Sequence, residues 1–488
     1  MHVVIISAEI APAAKVGGLA DMVTGLAREL QKMGHEVEAV VPMYHGLRWD
    51  QIQDIREVYQ QLWVPRWDKW EAERVLEGRV SGVRTYFVSC GHYTLRDRIY
   101  GYDDDIFRFA CFCRAALEFL YKTGKRPHIL HCHDWSAALV PVLYYEMYSR
   151  LGWSDARVVF TIHNTECQGL CWYGDKVLRM VGLDPGALFR PDKLRDDVHH
   201  NCINLMRGGV VYANFVTTVS PTFAAEIKEP ASGRGLHHVL RAYTGKLGGI
   251  INGVDYDLWN PAVDPKIAQR YDADHLIEKY KNKYALRGWL QLADSWKPIV
   301  AAVTRLTPQK GLDLLKHAIY ATRQWHGQFV LLGEAPDPRV NADFWRIKNE
   351  MRDCRDVHLW LGYHEDLAHL IYAGSDILVV PSLYEPCGLT QLIAMRYGTV
   401  PVVRRTGGLA DTVVDVDYSG RGLSGGTGFV FNDPNTAGLD SALYRAIRCW
   451  FDAPSAFQRI ILNGMRADWS WRNPARDYEN IYNYIKAK

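Results

Sequence analysis

The sequence predicts an α/β protein made of two large units, each built on a parallel sheet. In both halves of the 488-residue chain, short apolar runs typical of buried strands alternate with longer helical patterns, which implies parallel strands joined by crossovers. A turn-rich junction at Asn252–Asp255 separates the halves. The letters Gly-Gly-Leu-Ala-Asp occur at 17–21 and again at 407–411, each time after a strand pattern and before a helical one.

The first half opens with a predicted strand, a glycine loop and a helix. The apolar run Val3–Ile6 precedes Lys15–Asp21, which contains a glycine pair and leads into a helical pattern. Such a loop presents backbone N–H groups and the positive end of a helix to an anion, and Lys15 adds a cation. The alternative is an ordinary tight turn, because a glycine pair without the full dinucleotide fingerprint is weak evidence.

The remaining predicted strands follow the same alternation. In the first half they lie at Val37–Val41, Arg84–Val88, Ile129–Cys132, Val158–Ile162 and Phe215–Val219. In the second half they lie at Ile299–Thr304, Phe329–Leu332, Val357–Leu361, Ile377–Val380 and Val400–Val403. We therefore predict a first domain over 1–251, a second over 252–464, and a C-terminal helix within about 465–488 that packs back onto the first domain.

The composition argues against several classes of protein. A formal net charge of only +2 disfavours a nucleic-acid or anionic-membrane surface as the main partner. No apolar run approaches the ~18 residues of a membrane-spanning helix, and no secretory signal pattern is visible. Ten scattered cysteines are too sparse for a disulfide scaffold, so we expect a reducing compartment: the cytoplasm or, for a processed plant-type chain, the plastid stroma.

Residues that directly follow strands are the candidates for chemistry, because ligands of open α/β sheets bind at the carboxyl ends of the strands. Arg305 follows the strand Ile299–Thr304, and Lys310 lies five residues further on. Two cations in this position are expected for a diphosphate leaving group that is held without a metal. The alternative is a solvated basic turn.

Glu385 follows the strand Ile377–Val380 and precedes a predicted helix start at Gly388. Its carboxylate and the backbone N–H groups of 388–390 are placed to meet a phosphate or a sugar hydroxyl. Cys387 is either a nucleophile or a positioned, non-nucleophilic cysteine. The second interpretation is favoured because no base is identifiable nearby.

Two strands of the first half end in histidines. Asp134, which follows His131 and His133, is predicted to cap a helix, to accept a sugar hydroxyl, or both. A zinc pair at His131 and His133 is a weaker alternative, because no third ligand lies at local spacing. His163, at the end of the next strand, is either a core histidine or a site residue.

Two further groups have competing interpretations. The run Asp103–Asp105 resembles the Asp-x-Asp metal clamp of metal-dependent nucleotide-sugar transferases, but it precedes a helical pattern and is better explained as helix capping. Trp63, Trp67 and Trp70 either stack on sugar rings or pack in the ordinary way.

Together these motifs resemble those of the glycogen/starch synthase family. The matching stretches run in order along nearly the whole chain: Lys15–Leu19, His131–Trp135, the strand end at His163, Asn252–Asp255, Arg305–Gly311, Gly362–Glu365 and Glu385–Gln391. The resemblance implies a GT-B fold, in which two Rossmann-like domains face each other across a deep cleft. It also implies transfer of glucose from ADP-glucose to the non-reducing end of an α-1,4-glucan or maltooligosaccharide, with retention at the anomeric carbon.

The resemblance also implies roles for individual residues. Those expected to be catalytic are Asp134, His163, Arg305, Lys310 and Glu385. Those expected to bind the donor are Lys15, Gly18, Asn252, Tyr363, Cys387, Gly388, Leu389 and Thr390. The cations and Gly18 would bind the diphosphate, the tyrosine would stack near the adenine, and Thr390 would touch the distal part of the diphosphate. No metal and no other cofactor is implied.

Two positions depart from the patterns of related proteins. Val16 stands where many bacterial members have Thr, and in this it is similar to starch synthases of classes III and IV. Ile393 stands eight residues after Glu385, where related retaining GT-B families carry a second glutamate. Since no convincing carboxylate pair is found, we expect front-face substitution rather than double displacement.

Rival functions are weighed against specific residues. A dinucleotide dehydrogenase needs an acid after the second strand, where this chain has Val41-Pro42-Met43. An α-glucan phosphorylase needs a Schiff-base lysine in the second domain, and no lysine occurs between Lys348 and Lys486. Three alternatives are kept: an α-glucan phosphorylase-like protein, against which the missing lysine argues, a different nucleotide-sugar GT-B transferase, and a non-catalytic glucan-binding protein. The last would not need an acid and two cations at strand ends.

Overall fold

The computed structural model describes residues 1–488. The chain divides into two units: Met1–Gly253 together with Trp471–Lys488 form the first, and Val254–Ser470 form the second. The division therefore falls within the turn-rich stretch at Asn252–Asp255. None of the helices combines the length and the apolar character that a membrane crossing requires.

The first unit contains eleven strands, nine of which form one sheet. The strands are β1 His2–Ile6, β2 Glu36–Pro42, β3 Ile52–Arg66, β4 Lys69–Val80, β5 Val83–Val88, β6 Ile129–His133, β7 Arg157–Ile162, β8 Leu170–Trp172, β9 Cys202–Asn204, β10 Phe215–Thr218 and β11 Leu247–Gly249. The order in the large sheet is β11-β10-β7-β6-β1-β2-β5-β4-β3. The strands from β11 to β5 pair in parallel, and β4 and β3 are antiparallel additions.

Helices cover this sheet and connect its strands. In the first unit they are α1 Gly18–Lys32, α2 Asp105–Lys122, α3 Asp134–Ala137, α4 Leu139–Leu143, α5 Val177–Met180, α6 Pro185–Leu188, α7 Leu205–Tyr212, α8 Pro221–Glu226, α9 Pro230–Gly233 and α10 His237–Ala242. Short 3₁₀ turns occupy Trp49–Gln51, Ser149–Leu151, Tyr173–Asp175 and Thr244–Lys246, and a π-helical turn occupies Tyr144–Tyr148.

Apolar runs in the sequence correspond to the buried centre of the sheet. The side chains of Val3 to Ile6 are completely buried, as expected for a parallel strand that is covered on both faces. The long hairpin of β3 and β4 was not predicted. Its strands are rich in charged and amide side chains that face solvent, for example the exposed ion pair between Arg56 and Glu77, so neither strand shows a simple apolar run.

The second unit is built on a six-stranded sheet in which every pairing is parallel. Its strands are β12 Ile299–Val303, β13 Gln328–Gly333, β14 Val357–Leu361, β15 Ile377–Val380, β16 Val400–Arg404 and β17 Phe429–Phe431, in the order β14-β13-β12-β15-β16-β17. Its helices are α11 Lys279–Leu290, α12 Leu312–Gln324, α13 Pro338–Glu350, α14 Glu365–Gly374, α15 Thr390–Arg396, α16 Gly407–Thr412, α17 Gly422–Gly425, α18 Thr436–Asp452 and α19 Pro454–Arg466, with 3₁₀ turns at Leu276–Glu278 and Pro308–Lys310.

The last helix of the chain, α20 Arg472–Lys486, belongs to the first unit. It packs on α1 and β7, and its side chains Tyr478, Tyr482 and Ile485 are buried. The Tyr482 hydroxyl lies 2.8 Å from Nδ1 of His131 on β6. This helix therefore completes the core of the unit in which the chain begins.

Removing a buried ring of α20 tests that role. We expect Tyr482→Ala to lower the free energy of unfolding by about 3–5 kcal/mol, the usual cost of deleting a large buried side chain. Tyr484 lies on the same helix with 47% of its surface exposed, so Tyr484→Ala should cost less than about 1 kcal/mol. Urea denaturation followed by tryptophan fluorescence measures both free energies of unfolding. Equal losses in the two variants would contradict the conclusion that Tyr482 is part of the core.

Candidate functional site

The predicted site residues of the first unit lie at one edge of its sheet. Lys15 follows β1, Asp134 follows β6, His163 follows β7, and Asn252 comes after β11. These strands are parallel and belong to a continuous run of neighbours in the order β11-β10-β7-β6-β1. The sheet thus brings residues that are far apart in sequence to its carboxyl edge, where ligands of open α/β sheets bind.

The glycine loop is held by a buried carboxylate, Glu9, which no sequence pattern singled out. Oε2 of Glu9 accepts hydrogen bonds from the N–H groups of Val16 (2.7 Å) and Gly17 (3.1 Å), and Oε1 accepts one from the Tyr100 hydroxyl at 2.9 Å. Burial raises the pKa of Glu9, although the two backbone N–H donors oppose that shift.

The expectation that the whole loop offers its N–H groups to an anion is therefore wrong for Val16 and Gly17, because Glu9 already uses them. Gly18 is the first residue of α1, and no side chain caps that helix. Nζ of Lys15 lies 2.7 Å from Oδ1 of Asp21 in an exposed ion pair. The loop thus presents an uncapped helix start and a solvent-accessible lysine.

Asp134 holds the beginning of the loop after β7. Its Oδ1 accepts a hydrogen bond from the backbone N–H of His163 at 2.7 Å. Its φ of +55° is a strained value for a residue other than glycine, and such strain is concentrated at functional sites. Burial raises the pKa of this carboxyl to about 7, against the effect of the N–H groups of His163 and Asn164.

The prediction that Asp134 caps a helix is wrong, because it is the first helical residue of α3 and the preceding His133 occupies the cap position without a side-chain bond. The helical stretch that follows is divided into α3 and α4 at Ala138. The carboxylate is instead turned to the neighbouring strand end.

Three histidine rings, from β6 and from the residue after β7, contact one another in sequence. Both ring nitrogens of His131 are engaged, Nδ1 with the Tyr482 hydroxyl at 2.8 Å and Nε2 with Oγ1 of Thr161 at 2.7 Å. Nδ1 of His133 lies 3.1 Å from Nε2 of His163. The hydrogen bonds of His131 make it a structural residue, and His163 is only partly buried at the sheet edge.

Asn252 is buried, and its side-chain oxygen has no hydrogen-bond partner. A buried amide oxygen without a partner is costly. A ligand hydroxyl or N–H would satisfy it.

The second unit repeats the placement of polar residues at strand ends. Arg305 follows β12, Tyr363 follows β14, and Glu385 lies in the loop between β15 and α15. Since every pairing in this sheet is parallel, these loops share its carboxyl edge. The Arg305 side chain is exposed and makes no ion pair or hydrogen bond.

Lys310 and Glu385 form a short ion pair at this edge. Nζ of Lys310 lies 2.6 Å from Oε2 of Glu385, which also accepts a hydrogen bond from Oγ of Ser382 at 2.8 Å. Glu385 is 6% exposed, so the pair provides the compensating charge that a buried carboxylate needs. Lys310 ends a 3₁₀ turn, and Gly311, with φ +70°, occupies the cap position of α12.

The Glu385 loop is pressed against the second copy of the glycine pair. The N–H of Gly408 donates to the carbonyl oxygens of Glu385 and Pro386, both at 3.1 Å. A Cβ at Gly407 would lie 1.9 Å from the Glu385 oxygen, and one at Gly408 would lie 2.0 Å from that of Cys387. Only glycines allow this approach, so in the second unit the repeated letters position the site loop.

The segment after Glu385 differs from the prediction in one detail. The helix begins at Thr390 rather than at Gly388, and Leu389 occupies its cap position. Gly388 has φ +73°, and its carbonyl oxygen accepts a hydrogen bond from Nε2 of Gln391 at 2.7 Å. Cys387 is buried against the glycine helix α16.

Tyr363 is strongly exposed, with 70% of its surface accessible. Its hydroxyl donates to Oε2 of Glu365 at 3.1 Å, and that carboxylate also pairs with Lys266 at 2.6 Å. The ring therefore lies open on the surface of the second unit, where a flat ligand can stack on it.

Two groups with open interpretations are now placed. Asp104 accepts both N–H groups of Arg96, at 2.8 and 2.6 Å, and Asp105 pairs with Arg108. Asp104 occupies the cap position of α2 and Asp105 its first turn, where the capping interpretation put them, although the Asp104 side chain makes no capping hydrogen bond. The three tryptophans at 63, 67 and 70 lie on or between β3 and β4, each about half exposed.

A cavity of about 270 Å³ opens beside Asp376, lined by aromatic side chains that include Trp296 and Trp450. Asp376 directly precedes β15, so this cavity lies at the amino edge of the second sheet. It touches none of the predicted site residues. The candidate site therefore rests on the residues at the carboxyl edge and not on this cavity.

Known proteins resemble the chain over its whole length. Residues 2–242 match a family described as the starch synthase catalytic domain, and residues 297–448 match one described as glycosyl transferases group 1. Glycogen synthase 2 of Methylococcus capsulatus is 52% identical over 492 residues, with 100% of both chains covered. Glycogen synthase 1 of Nitrosococcus oceani is 48% identical over 487 residues, again with 100% of both covered.

A solved structure agrees with these relatives. The catalytic domain of starch synthase IV from Arabidopsis thaliana, bound to ADP and acarbose, is 41% identical to this chain. The TM-score is 0.96, and the match covers 100% of this chain and 99% of that one.

Gly408→Ala is expected to displace the Glu385 loop. The new Cβ would lie 2.0 Å from the Cys387 oxygen, so the backbone must move. Hydrogen–deuterium exchange of the peptide covering 382–391 should become faster, and the melting temperature should fall. Gly288→Ala is the control, because no atom lies within 4 Å of that position and alanine favours the helix. Unchanged exchange in Gly408→Ala would contradict the conclusion that Gly408 positions the Glu385 loop.

The raised pKa of Asp134 predicts a pH-dependent gain in stability for Asp134→Asn. Between its ordinary pKa of 3.8 and its folded pKa of about 7, the unfolded chain releases a proton that the folded protein keeps. The native carboxyl therefore loses stability as pH rises through this window, whereas asparagine does not titrate. Urea unfolding at about pH 4.5 and about pH 8 should show a larger advantage of the variant at the higher pH. If the difference in unfolding free energy between the variant and the native protein were the same at both pH values, the raised pKa of Asp134 would be contradicted.

Proposed function

The chain belongs to the glycogen/starch synthase family, which has the GT-B fold, and on that basis we propose its substrates and the roles of its residues. It is a glucosyltransferase. Its donor is ADP-glucose, and its acceptor is the non-reducing end of an α-1,4-glucan or maltooligosaccharide. The relatives named glycogen synthase support this, as does the starch synthase IV domain that was solved with ADP and acarbose.

The ion pair of Lys310 and Glu385, next to an unpaired Arg305, is the observation that carries the donor site. Lys310 compensates the buried carboxylate, and the Arg305 guanidinium is exposed to solvent. A guanidinium binds phosphate oxygens in a fork, and an ammonium binds them as a point charge. We assign both cations to the diphosphate of the donor.

These cations are also assigned to stabilise ADP as the leaving group. When the bond between the anomeric carbon and the phosphate oxygen breaks, negative charge grows on ADP. Arg305 and Lys310 in the second unit, and Lys15 with Gly18 at the start of α1 in the first, are assigned to stabilise that charge. With this positive charge available, the proposed reaction uses no metal and no other cofactor.

The glucosyl unit is assigned to the residues at the strand ends of the first unit and to the Glu385 loop. Asp134 accepts sugar hydroxyls beside its bond from the His163 N–H, and the unpartnered oxygen of Asn252 accepts another. Glu385 is held by Lys310 and Ser382. Tyr363 stacks near the adenine, and residues 387–390 complete the donor contacts.

Retention of configuration is assigned to substitution on one face of the sugar. A double displacement needs a nucleophilic carboxylate with a second carboxyl group about 5–5.5 Å away. The partners of Glu385 are Lys310 and Ser382, and Ile393 stands where a second glutamate would be. In the proposed step, the acceptor 4-oxygen bonds to the anomeric carbon as the phosphate leaves, and the 4-hydroxyl proton passes to the departing phosphate.

We place the reaction in the cytoplasm or, for a processed plant-type chain, in the plastid stroma. The ten free thiols support a reducing compartment. No nucleic acid and no membrane takes part in the proposed reaction, in keeping with a net charge of +2.

Initial rates test the proposal. The purified protein should transfer glucose from ADP-glucose to glycogen and to short maltooligosaccharides, faster than from UDP-glucose, and EDTA should leave the rate unchanged. Arg305→Ala and Lys310→Ala should each lower kcat by about 10²–10³, the effect of losing one donor to a developing negative charge. Arg352→Ala is the control, because that arginine is exposed and lies in no strand-end loop.

The products and intermediates provide the contradicting outcomes. ¹H NMR of the first product should show an α linkage. A β linkage, or a trapped covalent glucosyl-enzyme, would overturn the one-face substitution. Loss of activity in EDTA would overturn the metal-free assignment, and absence of transfer from any nucleotide-sugar would overturn the proposed function itself.

A further inference from the structure

His133 is a buried histidine that touches the site only through another residue. It is the last residue of β6, is completely buried, and places Nδ1 3.1 Å from Nε2 of His163. Its other ring nitrogen, Nε2, is buried and has no hydrogen-bond partner. The two rings therefore share one hydrogen bond, and the question is which of them donates.

Both rings are neutral at physiological pH. Burial lowers the pKa of His133 well below its usual value, and the neighbouring His131 and His163 lower it further. Burial also lowers the pKa of His163 to about 3. A neutral imidazole carries one N–H and one bare nitrogen, so only two arrangements of the pair are allowed.

The unpartnered Nε2 of His133 decides between them. If His163 donated from Nε2, the proton of His133 would lie on its own Nε2, as a buried N–H without an acceptor. If His133 donates from Nδ1, the unpartnered atom is a bare nitrogen instead. An orphaned buried donor is rarer and costlier than an unused acceptor, so the second arrangement is favoured. His163 then carries its proton on Nδ1.

We propose that His133 is a positioning residue that fixes His163 as the Nδ1–H tautomer, so that His163 presents a hydrogen-bond donor to an oxygen of the transferred sugar. The contact between His163 and the sugar rests on the proposed function. The tautomer itself does not, because it follows from the hydrogen bonds of the resting protein. When this tautomer is fixed, His163 does not populate the other tautomer, in which a bare Nδ1 would face the sugar oxygen.

The surroundings of His133 hold it in this role. The His131 ring lies against it, with ring centroids 4.2 Å apart. His131 cannot exchange partners, because both of its nitrogens are engaged by Tyr482 and Thr161. The backbone of His163 is held separately by Asp134. The only hydrogen bond that His133 can offer through its ring is therefore the one to His163.

¹⁵N NMR of histidine-labelled protein tests the tautomer directly. Protonated and bare ring nitrogens have well-separated ¹⁵N shifts, and the signals of His163 are identified by their loss in His163→Gln. We expect Nδ1 of His163 to be protonated and Nε2 to be bare in the resting protein. The opposite assignment would overturn the inference. Because this measurement needs no substrate, it decides the tautomer even if transfer from ADP-glucose is not observed.

Three variants separate positioning from a purely structural role. His133→Leu removes the donor and should lower kcat about 10–100-fold, the usual effect of losing a group that orients a site residue, with little change in KM for ADP-glucose. His133→Asn keeps an N–H donor near the position of Nδ1 and should recover most of the rate. Tyr144→Phe is the control, because it removes a buried hydroxyl that donates to the carbonyl oxygen of Ala156, outside the histidine group, and kcat should stay within about twofold of the native value.

A double-mutant cycle completes the test. In a His163→Ala background, His133→Leu should cause no further loss of kcat, because the residue it orients is gone. An equal loss in both backgrounds, in protein with native circular dichroism, would overturn the inference. So would a His133→Leu variant whose rate and His163 tautomer match those of the native protein.

Discussion

Both units depend on parallel sheets that are covered on both faces, and this constraint determines where chemistry can occur. The strands β1 and β13 contain completely buried apolar side chains, and a charge within such a strand needs dedicated partners. Glu38 in β2 is an example, because it is held by Lys125 and Arg84. The polar side chains of the two strand-end groups lie after the carboxyl ends of the strands. The same rule explains the Asp134–His163 group and the Arg305–Glu385 group, although the two arise in different sheets.

The sequence predicted the strands and the strand-end residues of the buried parallel sheets, and it failed to predict elements outside them. Apolar runs located the central strands, and the positions after them located the residues of both strand-end groups. The hairpin of β3 and β4 could not be found this way, because charged and amide side chains interrupt the apolar residues of both strands. Contacts between residues far apart in the chain could not be predicted from the sequence either. Lys310 and Glu385, for example, form an ion pair across 75 residues.

The repeated glycine pair shows why a repeated motif need not repeat its role. At Gly17 an added Cβ would meet no atom within 4 Å, and the N–H of that residue is used by Glu9. At Gly408 the chain touches the carbonyl oxygens of the Glu385 loop. In the first unit the pair lies at an open helix start. In the second it is a packing surface, and the hydrogen bonds around it, rather than its letters, reveal the difference.

The return of the C-terminal helix to the first unit sets an order for folding during synthesis. The chain leaves this unit at Gly253 and re-enters it only at Trp471. A Cβ at Gly25 of α1 would lie 1.9 Å from the indole of Trp471, so this glycine leaves the space that the ring occupies. Trp471 is synthesised only near the end of the chain. Until then, α1 and β7 lack the helix that covers them. The second unit can complete its core first, and the half of the protein that is made first is finished last.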